Sequence, residues 1–154
     1  MRRFFEVGDW AKRGTVKRES WYKPYLPARA TAHSAGYDFF CPEDSTIEPH
    51  ELITVWTNVK AYMETDDVLQ IYIRSSLGKK GLMLANSCGI VDCDYAGNPD
   101  NDGNIGIMLK NLADKPMSFK RGDKIAQGIF MKYLVTDDDD TIKERTGGFG
   151  STGE

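Results

Sequence analysis

Two acidic residues follow an apolar pair in the segment Gly89-Ile90-Val91-Asp92-Cys93-Asp94-Tyr95-Ala96-Gly97. Because their spacing is two, Asp92 and Asp94 share one face if this segment is a strand. A carboxylate that is ionised at neutral pH can act as a general base where its geometry is right. A structural β-turn accounts for the same acids. The segment is therefore a candidate catalytic hairpin, and a turn is the alternative.

A second candidate is the segment Arg74-Ser75-Ser76-Leu77-Gly78, which ends a predicted strand and precedes two lysines. A guanidinium group and two hydroxyls are donors that suit phosphate oxygens. A capped turn explains the same residues about as well. The segment indicates either a phosphate site at a strand-to-loop junction or an ordinary turn.

The third candidate is the C-terminal stretch, where the aspartates 137–140 precede the glycine-rich segment Arg145–Gly153. Glycine loses the most backbone entropy on ordering, so this tail cannot hold itself folded, and a frayed terminus is one interpretation. The other is a mobile flap, because a guanidinium group, an aromatic ring and two hydroxyls among bare glycine amides suit a phosphorylated aromatic ligand. Such a flap would become ordered when the ligand binds.

Several chemistries are excluded by motifs that the sequence lacks. It has no GxxxxGK[ST] phosphate loop, no GxSxG elbow and no GxGxxG in a βαβ pattern. Only two histidines are present, which disfavours a His-driven triad or a multi-histidine metal site. The three cysteines, Cys41, Cys88 and Cys93, form no CxxC pair, which favours free buried thiols in a reducing compartment. Carboxylates and hydroxyls must then carry any chemistry.

The elements that position these candidates are predicted to be β-strands. Aliphatic residues alternate in Leu69–Ile73 and Ile105–Leu109, with turn signals at short intervals between such runs. This pattern indicates an all-β sandwich, jelly roll or barrel, with at most one short helix, in Ser76–Leu82. A chain of 154 residues with 40% hydrophobic and 28% charged residues favours one folded domain. We predict this domain over 1–136 and a flexible arm over 137–154.

The N-terminal stretch is basic although the whole chain has a net charge of −3. Residues 1–29 carry eight Lys or Arg against three Asp or Glu. A solvated face is the favoured interpretation, and contact with nucleic acid or a neighbouring subunit is the alternative. With no apolar leader segment and no run long enough to span a membrane, we expect a cytoplasmic protein.

Five segments in fixed order resemble the motifs of the trimeric dUTPase family. They are Ser34–Phe39, Arg74–Gly78, Gly89–Gly97, Gly122–Phe130 and Arg145–Gly153. The resemblance runs from about Leu26 to the C-terminus, and the presence of all five motifs makes it specific. It implies a distorted jelly-roll β-barrel that forms a homotrimer with shared active sites. It also implies hydrolysis of dUTP to dUMP and pyrophosphate with Mg²⁺, which would limit uracil in DNA and supply dUMP for dTTP synthesis.

The resemblance further implies roles for single residues. Asp92 would be the general base that activates a water for attack on the α-phosphorus. Asp38 would reach Mg²⁺ through water, while the substrate phosphates hold most of the ion. Phe149 would stack over the base. Gly78 would be a further substrate-binding residue. The phosphates would be bound by donors from three motifs, which are Arg74, Ser75, Ser76, Gln127, Arg145, Gly150, Ser151 and Thr152.

Base and sugar selection would come from the hairpin. The amide of Asn86 can both donate and accept, which suits uracil and leaves groups unpaired against cytosine. The backbone around Gly89, Ile90, Val91 and Gly106 would complete the uracil slot. The ring of Tyr95 would lie against the deoxyribose, where a 2′-hydroxyl would clash. The expected ligand is dUTP, with no membrane or nucleic-acid partner.

Two features depart from the family's pattern. Six residues, Asn98–Gly103, are inserted in the hairpin and are predicted to form a solvated loop, since a calcium loop would need a glutamate where Leu109 stands. The basic stretch 1–25 is also longer than in compact members. Two other functions remain open, namely a dUTP-binding regulatory protein that acts through the 98–103 loop and a dCTP deaminase. The deaminase needs a glutamate in 105–111, and this segment has none.

Overall fold

The computed structural model describes residues 1–149, and its secondary structure is almost entirely β-strand. Within these residues there are twelve strands: β1 (Arg3–Glu6), β2 (Ala28–Arg29), β3 (Tyr37–Phe40), β4 (Ser45–Ile47), β5 (Leu52–Trp56), β6 (Val59–Tyr62), β7 (Asp67–Tyr72), β8 (Leu82–Leu84), β9 (Gly89–Asp92), β10 (Gly106–Asn111), β11 (Met117–Phe119) and β12 (Lys124–Lys132). The same residues contain one short α-helix, α1 (Ser75–Gly78), and two 3₁₀ turns, Asp9–Ala11 and Thr15–Arg18. The predicted all-β class is confirmed.

The strands form antiparallel sheets that pack face to face around one core, as in a jelly roll. The largest sheet has the order β2-β3-β12-β7-β9, and a second has the order β5-β10-β8. Two pairs, β1 with β6 and β11 with β4, extend these layers. Among residues 1–149 the hydrogen bonds do not close the sheets into one continuous barrel.

The core follows the alternation that predicted the strands. Leu69 and Ile71 of β7 are buried, and so are Ile107 and Leu109 of β10, because every second side chain of a strand points to the same face. Their intervening neighbours, such as Gln70, are partly exposed. The two sheets therefore bury complementary apolar faces against each other.

The helix is shorter than the range predicted for it. It begins at Ser75 and ends at Gly78, and Leu82, the last residue of the predicted helical range, begins β8. Gly81 has a φ of +87°, which turns the chain into the strand. Leu77 is the buried residue of this turn. Within the described part of the chain, no helix is long and apolar enough to cross a membrane.

The prediction that the inserted residues 98–103 form a solvated loop is wrong. Asn98 is 5% exposed and Asn101 is 2% exposed, and only Pro99 and Asp100 at the tip are open to solvent. The amide side chains in this loop hydrogen-bond to backbone groups, which offsets the cost of burying them. Polar composition alone suggested solvent exposure. An asparagine side chain, however, can both donate and accept hydrogen bonds, so it can pair with backbone groups inside a buried loop.

The basic N-terminal stretch packs against its own chain. Strand β1 pairs with β6 in antiparallel register. Further along, the guanidinium of Arg121 lies 5.1–5.2 Å from the ring centroids of Trp21, Tyr22 and Tyr25. Such cation–π contacts fix the segment before β2 onto the turn between β11 and β12.

We predict that Asp67, the buried first residue of β7, makes stability depend on pH. The bidentate bond from Arg2 and the contact with Lys132 hold the pKa of this carboxyl below its usual value. A lowered folded-state pKa gives stability that is present above the unfolded pKa and is lost as pH falls through the folded value. Asp67→Asn should therefore lower the free energy of unfolding near neutral pH, with the difference shrinking in acid.

Urea unfolding of wild type and variant across this range measures the effect. The matched control is Asp66→Asn, because Asp66 shares Lys132 but is solvent-exposed. Exposed ion pairs contribute little, so the control should lose less stability. A constant wild-type-to-variant difference down to strongly acidic pH would contradict the prediction.

Candidate active site

The first cavity, of about 330 Å³, lies between β7, β9, β10 and the C-terminal arm. Its apolar floor is formed by Ile71, Leu84, Ile105 and Ile107. Nine residues predicted to bind or act on the nucleotide line it, namely Asn86, Gly89, Ile90, Val91, Asp92, Tyr95, Gly106, Arg145 and Phe149. An apolar slot with a few convergent polar groups is typical of small-molecule sites.

Gly106 lines this cavity with backbone atoms alone. Gly106 pairs with Trp56 across β5 and β10. A Cβ at this position would lie 3.0 Å from the Trp56 ring and 3.1 Å from the methyl group of Thr54. Glycine is therefore required where the backbone approaches the neighbouring strand. The role of Gly106 in reading the base stays a prediction.

Asp92 is the last residue of β9, at the edge of the cavity, and its side chain is half exposed. Asp94 lies beyond the strand, in the turn that follows, so the shared strand face predicted for the two acids is wrong. Instead, Arg145 joins them. Its Nη2 donates to Oδ2 of Asp92 at 2.5 Å, and its Nε donates to Oδ1 of Asp94 at 2.8 Å.

This pairing changes the titration of the arginine. Burial alone would lower the pKa of Arg145, but its hydrogen bond to Asp94 and the charges of Asp94 and Asp92 outweigh burial and raise the pKa. The guanidinium also lies 5.6 Å from the centroid of the Tyr95 ring. Arg145 is thus a permanent cation that holds the arm against the hairpin.

The arm continues over the mouth of the cavity. The rings of Phe149 and Trp56 are 5.5 Å apart in an edge-to-face arrangement. Phe149 is 47% exposed, so one face of its ring remains open to solvent. The predicted phosphate donors Gly150, Ser151 and Thr152 lie outside the described residues.

A second cavity, of about 280 Å³, contains most of the other predicted phosphate donors. Arg74, Ser75, Ser76 and Gln127 line it, together with Ser34 and Gly36 of the first motif. The side chain of Gln127 is held by a bond to the carbonyl of Ile73 at 3.3 Å. Gly78 does not line either cavity, because its amide closes the helical turn onto the carbonyl of Arg74. Its predicted role in substrate binding stays a prediction.

Asp38 also lines the second cavity, but both of its oxygens bind protein cations. Oδ1 lies 2.9 Å from Nε of Arg74, and Oδ2 lies 2.7 Å from Nζ of Lys124. Among residues 1–149 there is no cluster of three or more His, Cys, Asp or Glu side chains that could hold a metal ion. The residues present therefore do not fit a directly bound Mg²⁺. Asp38 holds Arg74 and Lys124, and its contact with Mg²⁺ through water stays a prediction.

The two cavities share no lining residue and lie far apart in one chain. Gln127 pairs with Tyr72 of β7, whereas Asp92 pairs with Val68 of the same strand. With a rise of about 3.3 Å per residue and about 4.8 Å between strands, their Cα atoms are roughly 16 Å apart. Within one chain the residues of the two cavities are thus separated along β7.

Two residues near the first cavity were missed by the sequence analysis. Cys88 lines the cavity between Asn86 and Gly89. Trp56 contacts both Gly106 and Phe149, and Arg13 lies over its ring at 5.0 Å. The position of Cys88 between two predicted base-binding residues was a usable signal. Trp56 is brought beside the cavity only by the pairing of β5 with β10, which the sequence does not show.

Comparison with known proteins places this geometry in a family. A model of the dUTPase family matches residues 23–153. The deoxyuridine 5′-triphosphate nucleotidohydrolase of Lactococcus lactis is 46% identical over 131 residues, which cover 83% of this chain and 87% of that protein. The dUTPase of Streptococcus mutans superposes with a TM-score of 0.70 at 43% identity, over 73% of this chain and 88% of that one.

A more distant structure, the dUTPase of phage phi11 of S. aureus, has a TM-score of 0.68 at 20% identity and covers 96% of this chain and 99% of its own. At that identity the likeness concerns the fold alone. Fold and site together define an all-β jelly-roll protein with a nucleotide-sized slot beside an aspartate. The sequence match is more specific, and the chain belongs to the dUTPase family.

We predict that removing the Phe149 ring exposes Trp56 to solvent. Phe149→Ala should red-shift tryptophan emission and increase quenching by acrylamide, because the edge-to-face contact excludes water from one side of the indole. The measurement is best made with Trp10 and Trp21 replaced by phenylalanine, since both are exposed and add background. Ile142→Ala, in the same arm but 94% exposed, is the matched control. Equal spectra for all three proteins would show that the arm does not lie on Trp56.

Proposed function

We propose that this protein hydrolyses dUTP to dUMP and pyrophosphate. The observation that carries the proposal is the position of Asp92, at the edge of a slot lined by Asn86, Gly106 and Tyr95. A general base must lie within reach of the water that it activates and beside the group that is attacked. Membership of the dUTPase family supports the same substrate.

Uracil would enter the apolar slot with its polar edge toward Asn86 and the backbone of Gly89–Val91. An amide offers one acceptor and two donors, so it can match the O4 and N3–H of uracil. Cytosine presents the opposite pattern and would leave buried groups unpaired, which a polar site rejects strongly.

The chemical step assigned to Asp92 is proton transfer from water. The water oxygen attacks the α-phosphorus while the bond from that phosphorus to the α–β bridging oxygen breaks. Pyrophosphate leaves with that oxygen, and the proton of the water passes to the carboxylate of Asp92. The guanidinium of Arg145 bonds to Oδ2 of Asp92, so this oxygen becomes available to the water only when Arg145 moves away. Phosphate oxygens, which attract a guanidinium strongly, would draw it away.

The second cavity would bind the β- and γ-phosphates through Arg74, Ser75, Ser76 and Gln127. Its position supports a shared site, in which Asp92 comes from one subunit and these donors come from the next. A homotrimer with threefold symmetry would form three such sites through one repeated interface. Mg²⁺, which prefers substrate phosphates and water as ligands, would be carried by the nucleotide, and Asp38 would keep Arg74 in place.

The alternatives have less support. A dCTP deaminase would need a glutamate in the region of β10, and Gly106–Asn111 contains none. A regulatory protein acting through the 98–103 loop would need that loop exposed, but most of it is buried. With dUTP as substrate, the protein would act in nucleotide metabolism in the cytoplasm, limiting uracil in DNA and supplying dUMP.

We predict that Asp92→Asn lowers kcat for dUTP by about 10²–10⁴-fold, the usual contribution of a general base. The assay measures pyrophosphate and dUMP release with dUTP, dCTP, dTTP and UTP offered separately. Only dUTP should be turned over efficiently by the wild type. Asp94→Asn is the matched control, because Asp94 also binds Arg145 but does not line the cavity, and it should lose less activity. An equal loss of activity in both variants would show that Asp92 is not the general base.

We further predict that two inactive variants restore activity when they are mixed. Asp92→Asn lacks the base and Arg74→Ala lacks a phosphate donor, so each homotrimer is inactive. In randomly mixed trimers about one quarter of the sites would combine an intact Asp92 with an intact Arg74 from the next subunit. The mixture, unfolded and refolded together, should recover roughly that share of wild-type activity. Activity no higher than that of the separate variants would contradict a shared site.

A further inference from the structure

The loop of residues 98–103, here named the insert loop, touches two functional parts of the first cavity at once. It follows directly after the turn that contains Tyr95, and its tip meets the C-terminal arm. Neither contact was expected, since the loop was predicted to be solvated. Most of the insert loop is buried, and its asparagine side chains are hydrogen-bonded to backbone groups.

The insert loop holds Tyr95 at both ends. Nδ2 of Asn101 donates to the Tyr95 hydroxyl at 2.9 Å, and that hydroxyl donates to the carbonyl of Asn104 at 2.9 Å. Nδ2 of Asn98 donates to the Tyr95 carbonyl at 2.7 Å. Tyr95 is 7% exposed and lines the cavity where the sugar would lie. A ring held in this way cannot swing aside to admit a larger sugar.

The same loop also seats the arm. The amide of Gly148 donates to Oδ2 of Asp100 at 2.7 Å. A Cβ on Gly148 would lie 3.0 Å from Nδ2 of Asn101 and 3.1 Å from Oδ1 of Asn98. The backbone of the arm therefore packs closely against the insert loop at Gly148. Asn101 thus contacts both the fixed ring and the arm that covers the slot.

The insert loop is in turn fixed by the N-terminal segment. The amide of Gly8 donates to Oδ2 of Asp102 at 2.7 Å, and Nζ of Lys60 lies 2.7 Å from the same oxygen. Beside the loop, Nδ2 of Asn104 donates to the carbonyl of Ala11 at 3.0 Å. The two departures from the family's pattern, the long N-terminus and the insertion, therefore form one structure.

We propose that Asn101 is a positioning residue that fixes the ring of Tyr95 and the seat of the arm, and thereby sets the selection of deoxyribose over ribose. This inference rests on the proposed function, because it assigns the sugar of the nucleotide to the Tyr95 side of the slot. A 2′-hydroxyl is rejected only if the surface it meets does not yield. The two hydrogen bonds on the Tyr95 hydroxyl supply that resistance, and Asn101 makes one of them.

The test compares kcat/KM for dUTP and UTP in wild type, Asn101→Ala and Tyr95→Phe. Tyr95→Phe keeps the ring and removes only the hydroxyl that Asn101 binds. Each variant should lower the dUTP-to-UTP ratio by about tenfold, the scale of one or two lost hydrogen bonds. The double variant should lower the ratio by less than the product of the two single effects, because both single variants remove the bond between Asn101 and Tyr95. Pro99→Ala, at the exposed tip of the insert loop, is the matched control and should keep the wild-type ratio.

An equal loss of kcat/KM for both nucleotides would show a merely structural role and overturn the proposal, as would an unchanged ratio. Hydrogen exchange of the peptide that contains Gly148, measured without nucleotide, gives a readout independent of activity. Exchange there should be faster in Asn101→Ala than in Pro99→Ala or wild type, and equal exchange would refute the seating of the arm. If the wild type does not hydrolyse dUTP but this exchange difference is found, the proposed function fails and the positioning of the arm stands.

Discussion

Strand β7 sets the distance on which the organisation of the site depends. It is hydrogen-bonded to β12 on one side and to β9 on the other, and both registers are fixed by the burial of Leu69 and Ile71. A slip of one residue would turn these side chains out of the core, so the registers cannot drift. The phosphate donors and Asp92 are consequently held on strands that keep them apart. This separation is the reason for the proposal that the two sets of residues act on one nucleotide from different copies of the chain.

Charge pairing keeps each half of the site ordered before substrate arrives. In one half, Asp38 is buried between Arg74 and Lys124, which places the guanidinium at the phosphate cavity. In the other half, Arg145 bridges Asp92 and Asp94 and draws the arm over the slot. Both arrangements leave an arginine that phosphate oxygens can attract. Preorganised cations of this kind reduce the cost of reorganisation during phosphoryl transfer.

The sequence predicted the strands well where one face of a strand is buried. The alternation in Leu69–Ile73 and Ile105–Leu109 corresponds to β7 and β10. From the residues alone Asp92 was either a candidate base or a turn residue, and the role of base came from the family resemblance. The insert loop was misjudged because the rule that polar segments are solvated ignores asparagine amides bonded to backbone groups inside a loop. The contact of Trp56 with Gly106 depends on the pairing of distant strands, which local patterns do not contain. The salt bridge between Arg145 and Asp92 could not be predicted either, because it depends on where the C-terminal arm lies in the fold.

The central claim is that a water activated by Asp92 attacks the α-phosphorus of dUTP. Hydrolysis of dUTP in ¹⁸O-labelled water, followed by mass spectrometry of both products, tests this claim most directly. Attack on the α-phosphorus predicts labelled dUMP and unlabelled pyrophosphate. Label in the pyrophosphate would place the attack on the β-phosphorus and would contradict the role given to Asp92.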